Sequence, residues 1–272
     1  MVEGGNNMAW ATMNFRSGAL NMPVEAEVLI PQPGYKSLTQ KEGYKVIILL
    51  HGANNDRMEW LMKSQIADMV RELPVIVFMP SGKNSFYINT WNGYRYMDFI
   101  GKEIPELIRS HFRVSEKKED WLIAGESMGG FGASVCGFNH PDTFGNVAVF
   151  SGALAPLEIE KDLPGIKMTN LFGKNYEYLE KPENDPFRLS DALPEEKRPR
   201  VFLCCGTEDF LLDVNERFYH HLKDRYDLTV VWKLGGHEFV YWNERLKEMF
   251  QWFMAKELEE GFFMGRCGND IR

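Results

Sequence analysis

The chain has 272 residues, of which 44% are hydrophobic and 26% charged; that is enough for a large buried core, while apolar runs such as 46–50 are far too short to span a bilayer. A formal net charge of −8 argues against a nucleic-acid partner, because phosphate backbones reward clustered Lys and Arg. The start, Met1-Val-Glu-Gly-Gly-Asn-Asn, has neither a basic nor an apolar signal region, so the expected location is cytoplasmic.

In chain order, 9–16 and 24–30 have strand character and flank the turn-prone Ser17-Gly18 and Asn21-Met22-Pro23, which predicts an antiparallel hairpin at a sheet edge. Pro31-Gln-Pro-Gly34 then breaks the chain. Next come apolar 45–50, helical 60–73, apolar 75–79, helical 96–112, apolar 121–124, helical 128–139 and apolar 147–150. This alternation predicts an α/β fold with a mostly parallel central sheet and helices on both faces. Residues 152–199 carry Pro156, Pro164, Pro182, Pro186, Pro194 and Pro199 and show weak periodicity; they read as a cap or long loop inserted in a single domain over 1–272, covering the active site. Alternation resumes with 200–205, the helical 214–225, strand-like 228–234 and a last helix over 241–258. Cys136, Cys204, Cys205 and Cys267 lack metal-site spacing and read as reduced thiols; with no HExxH or clustered His and carboxylate motif no metal is expected, and the serine chemistry read below needs no cofactor.

The stretch Gly125-Glu-Ser-Met-Gly129, after a strand and before a helix, reads as a nucleophile elbow around Ser127: small residues at both ends leave room for a tight turn that projects the hydroxyl. A serine needs a base, and the base an orienting acid. His237, in Gly235-Gly-His-Glu-Phe239 just after the last predicted strand, is the candidate base; His51, His111, His140, His220 and His221 read as loop, capping or solvated residues. The candidate acid is Asp209, in the loop beyond the 200–205 strand, with Glu208 and Asp213 as competitors. The order Ser, acid, His is that of α/β-hydrolases. Oxyanion donors are expected in the backbone N–H groups of Met128 and of the His51-Gly-Ala-Asn54 turn, with Ala53 first and Gly52 and Asn54 behind it.

Together, Leu50-His-Gly52, Gly125-Glu-Ser-Met-Gly-Gly-Phe-Gly132, Gly206-Thr-Glu-Asp-Phe210 and Gly235-Gly-His-Glu-Phe239 resemble the esterase D family of α/β-hydrolases, in particular its bacterial tributyrin-esterase branch, over about residues 10–255. The resemblance implies a serine carboxylesterase of short acyl esters with Ser127, Asp209 and His237 as its triad. It also implies alternatives within the family: an S-formylglutathione hydrolase or an acetyl- or feruloyl-sugar esterase. A catalytically silent binding protein on the same scaffold is the alternative from another class. Trp91 and Tyr94, in a segment similar to the family's loop before the helix preceding the elbow, are candidates to line the substrate pocket. Glu126, where a hydrophobic residue or histidine is common in the family, is a further candidate for substrate contact. The expected partner is a small-molecule ester, and the family resemblance leaves room for a homo-oligomer.

Overall fold

The computed structural model describes residues 8–31 and 43–255 except Glu72 and Pro164. Strands β1 (Met8–Ser17) and β2 (Met22–Pro31) form the antiparallel hairpin, in register from Met8↔Pro31 to Ser17↔Met22. Side chains of β1 alternate between partial burial and exposure, as expected of a strand with one wet face. The predicted break at 31–34 beyond Pro31, the reach of the last helix past residue 255 and Cys267 lie outside the described residues.

β2 pairs antiparallel with β4 (Val75–Pro80), and β3 (Lys45–Leu50) pairs parallel with β4 and with β5 (Trp121–Glu126). β6 (Asn146–Phe150), β7 (Arg200–Gly206) and β8 (Leu228–Lys233) extend the parallel part, giving one eight-stranded sheet in the order β1-β2-β4-β3-β5-β6-β7-β8. Every residue of β3, β4, β5 and β6 is buried. Their apolar sequences run nearly unbroken because both faces are covered.

On one face Val46, Ile48 and Leu50 belong to a core that also contains residues from 96–111, the helix α5 (Met128–Asn139) and α8 (Leu212–Leu222), which packs on β7. On the other, Ile47 and Leu49 belong to a core shared with α1 (Glu59–Lys63), α2 (Ile66–Met69) and α9 (Phe239–Phe253), the last packed on β6 and β7. The single helix predicted over 60–73 is two short ones. Ser64 is extended (φ −124°, ψ 171°), its hydroxyl donates back to Trp60 O, and Ile66 N–H donates to the same hydroxyl. A polar side chain competing for backbone groups here overrides the apolar period.

The helix predicted over 96–112 is α3 (Tyr96–Asp98), a π-helical turn (Phe99–Glu103) and α4 (Ile104–His111). The widened turn carries Glu103, whose carboxylate accepts from Ser17 Oγ (2.6 Å), Gly18 N (2.7 Å) and Ala19 N (3.2 Å) and so ties the β1–β2 turn to the sheet's helical layer. Between β6 and β7 the weak periodicity corresponds to short pieces, among them α6 (Met168–Phe172) and α7 (Pro186–Ala192). Asn139 Nδ2 on α5 donates to Glu183 O in this segment, and Trp91 N donates to Leu171 O (2.7 Å).

Candidate functional site

Ser127 stands between β5 and α5 with φ 54° and ψ −116°, a conformation that non-glycine residues rarely adopt. Three backbone bonds hold it there: its N–H donates to Phe150 O (2.9 Å), and its carbonyl accepts from Ala153 N (2.9 Å) and Phe131 N (3.2 Å). The two glycines of the motif are needed for approach. A Cβ on Gly125 would lie 2.5 Å from the Gly129 backbone, and one on Gly129 2.5 Å from Leu50 O. Helix and strand therefore meet without side chains between them, and the serine is placed at the carboxyl edge of the sheet.

The candidate acid and the candidate base follow two neighbouring strand ends. Beyond β7, Asp209 N–H donates to Gly206 O (3.1 Å), and Leu211 N–H donates to Asp209 Oδ1 (2.9 Å). Beyond β8, His237 Nδ1 lies 2.9 Å from Asp209 Oδ2 and 3.1 Å from Oδ1. The loops are joined by Thr207 N–H to Lys233 O and Glu208 N–H to Gly235 O. Phe210 and Trp242 pack on the imidazole at 4.7 and 4.9 Å between ring centroids. Burial raises the pKa of the Asp209 carboxyl, but its hydrogen bond to His237, the His237 charge, and the bonds from Leu211 N–H and the Ser151 hydroxyl outweigh that and leave it below the usual carboxylate range.

The competing acids are elsewhere. Asp213 is 86% exposed and paired with Arg217, and Glu208 points to solvent. Among the described residues no hydrogen bond joins Ser127 Oγ to His237; such bonds are often long in a substrate-free protein and close when substrate binds.

The His51 turn is built from behind. His51 is buried, which lowers its pKa; its neutral ring accepts from Gly82 N at Nε2 (2.9 Å) and faces Gly52 O at Nδ1 (2.7 Å), so Nδ1 carries the hydrogen. Tyr87 Oη donates to His51 O (2.8 Å). Gly52 N–H is bound to Glu59 Oε2 (2.9 Å) and Asn54 N–H to Asn84 Oδ1 (2.7 Å). Ala53 N–H and Met128 N–H have no acceptor among the described residues. Of the three candidates in this turn, Ala53 alone retains an unclaimed donor.

Glu126 is not on a substrate-facing wall. It is 1% exposed, its side chain lies against the Cα of Gly52, and it is hydrogen-bonded to Glu59; β5 runs on through residue 126 and turns this side chain beneath the His51 turn. Trp91 and Tyr94 are each 45% exposed on the loop tied to Leu171. His221 faces Asp191 and Phe187 O, and His111 bonds at the end of α4. Cys136, Cys204 and Cys205 are buried free thiols.

Sequence reasoning missed Ser151. It follows β6 at φ 46°, is fully buried and accepts from Trp242 Nε1 (3.0 Å), and its hydroxyl helps hold the Asp209 carboxyl below the usual carboxylate range. The small pair Ser151-Gly152 at the end of an apolar run carried the signal, since it repeats the pattern at the end of β5.

Comparison with known proteins bears on the family and the fold. The Esterase family model, described as "Putative esterase", matches residues 17–253. An acetyl esterase of Caldicellulosiruptor saccharolyticus is 31% identical over 266 residues, covering 90% of this chain and 98% of that protein. The substrate-bound fluorophosphonate-binding serine hydrolase F (FphF) of Staphylococcus aureus superposes with a TM-score of 0.81 at 27% identity, over 90% of this chain and 98% of its own. The S-formylglutathione hydrolase FrmB from Staphylococcus aureus gives 0.79 at 27% identity over the same shares. No described helix is long and apolar enough to cross a membrane. With an eight-stranded mixed sheet, a serine turn at its carboxyl edge and these likenesses, the chain belongs to the Esterase family and has the α/β-hydrolase fold.

Proposed function

We propose that this esterase hydrolyses short-chain acyl esters, acetyl to butyryl, through an acyl-Ser127 intermediate, and that it falls in the tributyrin-esterase branch of the esterase D family. The observation that carries the residue assignment is the Asp209–His237 hydrogen bond at the sheet edge that also presents Ser127. His237 Nε2 takes the Ser127 proton as Oγ attacks the ester carbonyl; Asp209 holds the ring with Nδ1–H toward itself and stabilises the imidazolium. The carbonyl oxygen, now negative, is received by Met128 and Ala53 N–H, groups typically worth ~3 kcal/mol each when preorganised. The imidazolium then protonates the leaving alkoxide, the alcohol departs, and water activated by His237 releases the acid and frees the serine. Trp91, Tyr94 and the 152–199 cap bound the acyl and alcohol pockets of one catalytic domain.

Replacement of Ser127 by Ala should lower ester turnover at least ~10³-fold in a folded protein and abolish labelling by a fluorophosphonate. Labelling that persists in S127A would overturn the assignment. The same panel should include S-formylglutathione and acetylated sugars. The FrmB likeness makes the thioester the second reading, and it would take first place if the thioester were turned over faster than p-nitrophenyl butyrate.

A further inference from the structure

Behind the His51 turn are two buried carboxyl groups and one cation. Glu59 on α1 and Glu126 at the end of β5 are 5% and 1% exposed. Glu59 accepts from Gly52 N–H at Oε2 (2.9 Å) and from Lys63 Nζ at Oε1 (2.9 Å), so both its oxygens serve as acceptors. Glu126 is hydrogen-bonded to Glu59, while its Oε1 has no partner. Two carboxylates cannot hydrogen-bond to each other without a proton between them. The hydrogen is on Glu126: Glu59 already has a cation and a backbone donor, whereas an ionised Glu126 would leave a buried charge with an unpaired oxygen.

The surroundings agree. Burial first, then the charge of Glu59 and the bond to it, hold the Glu126 pKa well above its ordinary value, against smaller opposing effects of Gly52 N–H and Lys63. The other ionisable group facing it, Tyr87, is fully buried and likewise pushed up, in part by Glu126 itself. The helix α5, packed beside it, contains no charged residue.

We propose that Glu126 is a positioning residue, which through one hydrogen shared with Glu59 clamps Gly52 from behind and so aims Ala53 N–H at the oxyanion. The proposal rests on the reading of Ala53 as an oxyanion donor. Gly52 is held on both sides: Glu59 binds its N–H, and the Glu126 carboxyl fills the space where a Cβ would stand, 2.3 Å from Oε1. Loss of the shared hydrogen places two negative charges together in a low-dielectric interior with one ammonium, which is bound to Glu59, to offset them; this drives the carboxyls apart and releases the turn.

The test compares wild type with E126Q and E126A. Gln keeps a donor to Glu59 and cannot titrate; Ala keeps neither donor nor volume. Infrared spectra of the resting protein at neutral pH should show a protonated-carboxyl C=O band that E126Q lacks and that fades as the pH is raised. E126A should lower kcat ~10-fold or more with KM changed less than about twofold, as expected when a group acting in the transition state is misplaced. E126Q should restore most of kcat and remove the alkaline fall in kcat of the wild type. Absence of the band, or E126Q and E126A losing kcat equally, would overturn the proposal. Fluorophosphonate labelling of the same variants and of S127A separates the two readings: loss of the Ser127 assignment appears there, and the infrared band does not depend on it.

Discussion

At Asp209 one carboxylate receives bonds from an imidazole, a backbone amide and a hydroxyl, whereas Asp213, four residues on, is in solvent beside Arg217. D209N should therefore cut kcat/KM by ~10³-fold or more by losing the charge that orients His237, while D213N stays within about twofold of wild type. The reverse pattern would show that the acid is Asp213. The depressed Asp209 pKa also has a stability consequence whose sign is fixed. Its contribution is fully present above the unfolded-state pKa of about 3.9 and is lost as the pH falls through the lower folded-state value. Acid unfolding of wild type should be steeper than that of D209N across this window, as read by circular dichroism. The placement of Ser127, Asp209 and His237 just beyond strand ends was legible because each follows a strand in a recognisable turn. Ser151 and the Glu59–Glu126 pair were not, because their importance comes from neighbours distant in sequence: Trp242 and Asp209 for one, Gly52 and Lys63 for the other.

Among the elements, buried parallel strands were the easiest to read: β3, β4 and β6 match the predicted runs to within a residue. Helices were harder, since side chains that rewrite the backbone locally do not disturb hydrophobic period. Ser64 splits 60–73, and the turn at Phe99–Glu103 widens so that Glu103 faces the hairpin. The 152–199 segment was read as irregular for its prolines and charges; its pieces are short and held by outside partners, as in Asn139 to Glu183 O and Trp91 N to Leu171 O. Because the loop of Trp91 is fixed to this segment, the substrate pocket proposed beside it should have a fixed depth. Acyl methylenes should improve kcat/KM while they find apolar surface, ~0.8 kcal/mol each, and then lower it at the wall. A p-nitrophenyl ester series should thus peak between acetyl and butyryl. In W91A, whose exposed side chain allows folding, octanoyl should gain on butyryl by ~3-fold or more. An unchanged series would remove Trp91 from the pocket.

For the molecule as a whole, each half of the site is fastened into the sheet. The hairpin is capped by Glu103, the His51 turn is bound to Gly82 and Tyr87, and the Asp209 and His237 loops share backbone bonds across β7 and β8. Such a frame can carry backbone strain, and it does so at Ser127 with φ 54° and ψ −116°. Strain of this kind costs ~1–3 kcal/mol for a side-chain-bearing residue, and glycine would relieve it at an entropic cost of ~0.5–1 kcal/mol. S127G should therefore be inactive yet melt higher than wild type, by ~2 °C or more for a chain of this size, whereas S127A keeps the strain and should not. A lower melting temperature for S127G than for S127A would refute this. If it holds, the serine at 127 keeps the protein below its own stability maximum, and full relief is open only to glycine, which carries no hydroxyl.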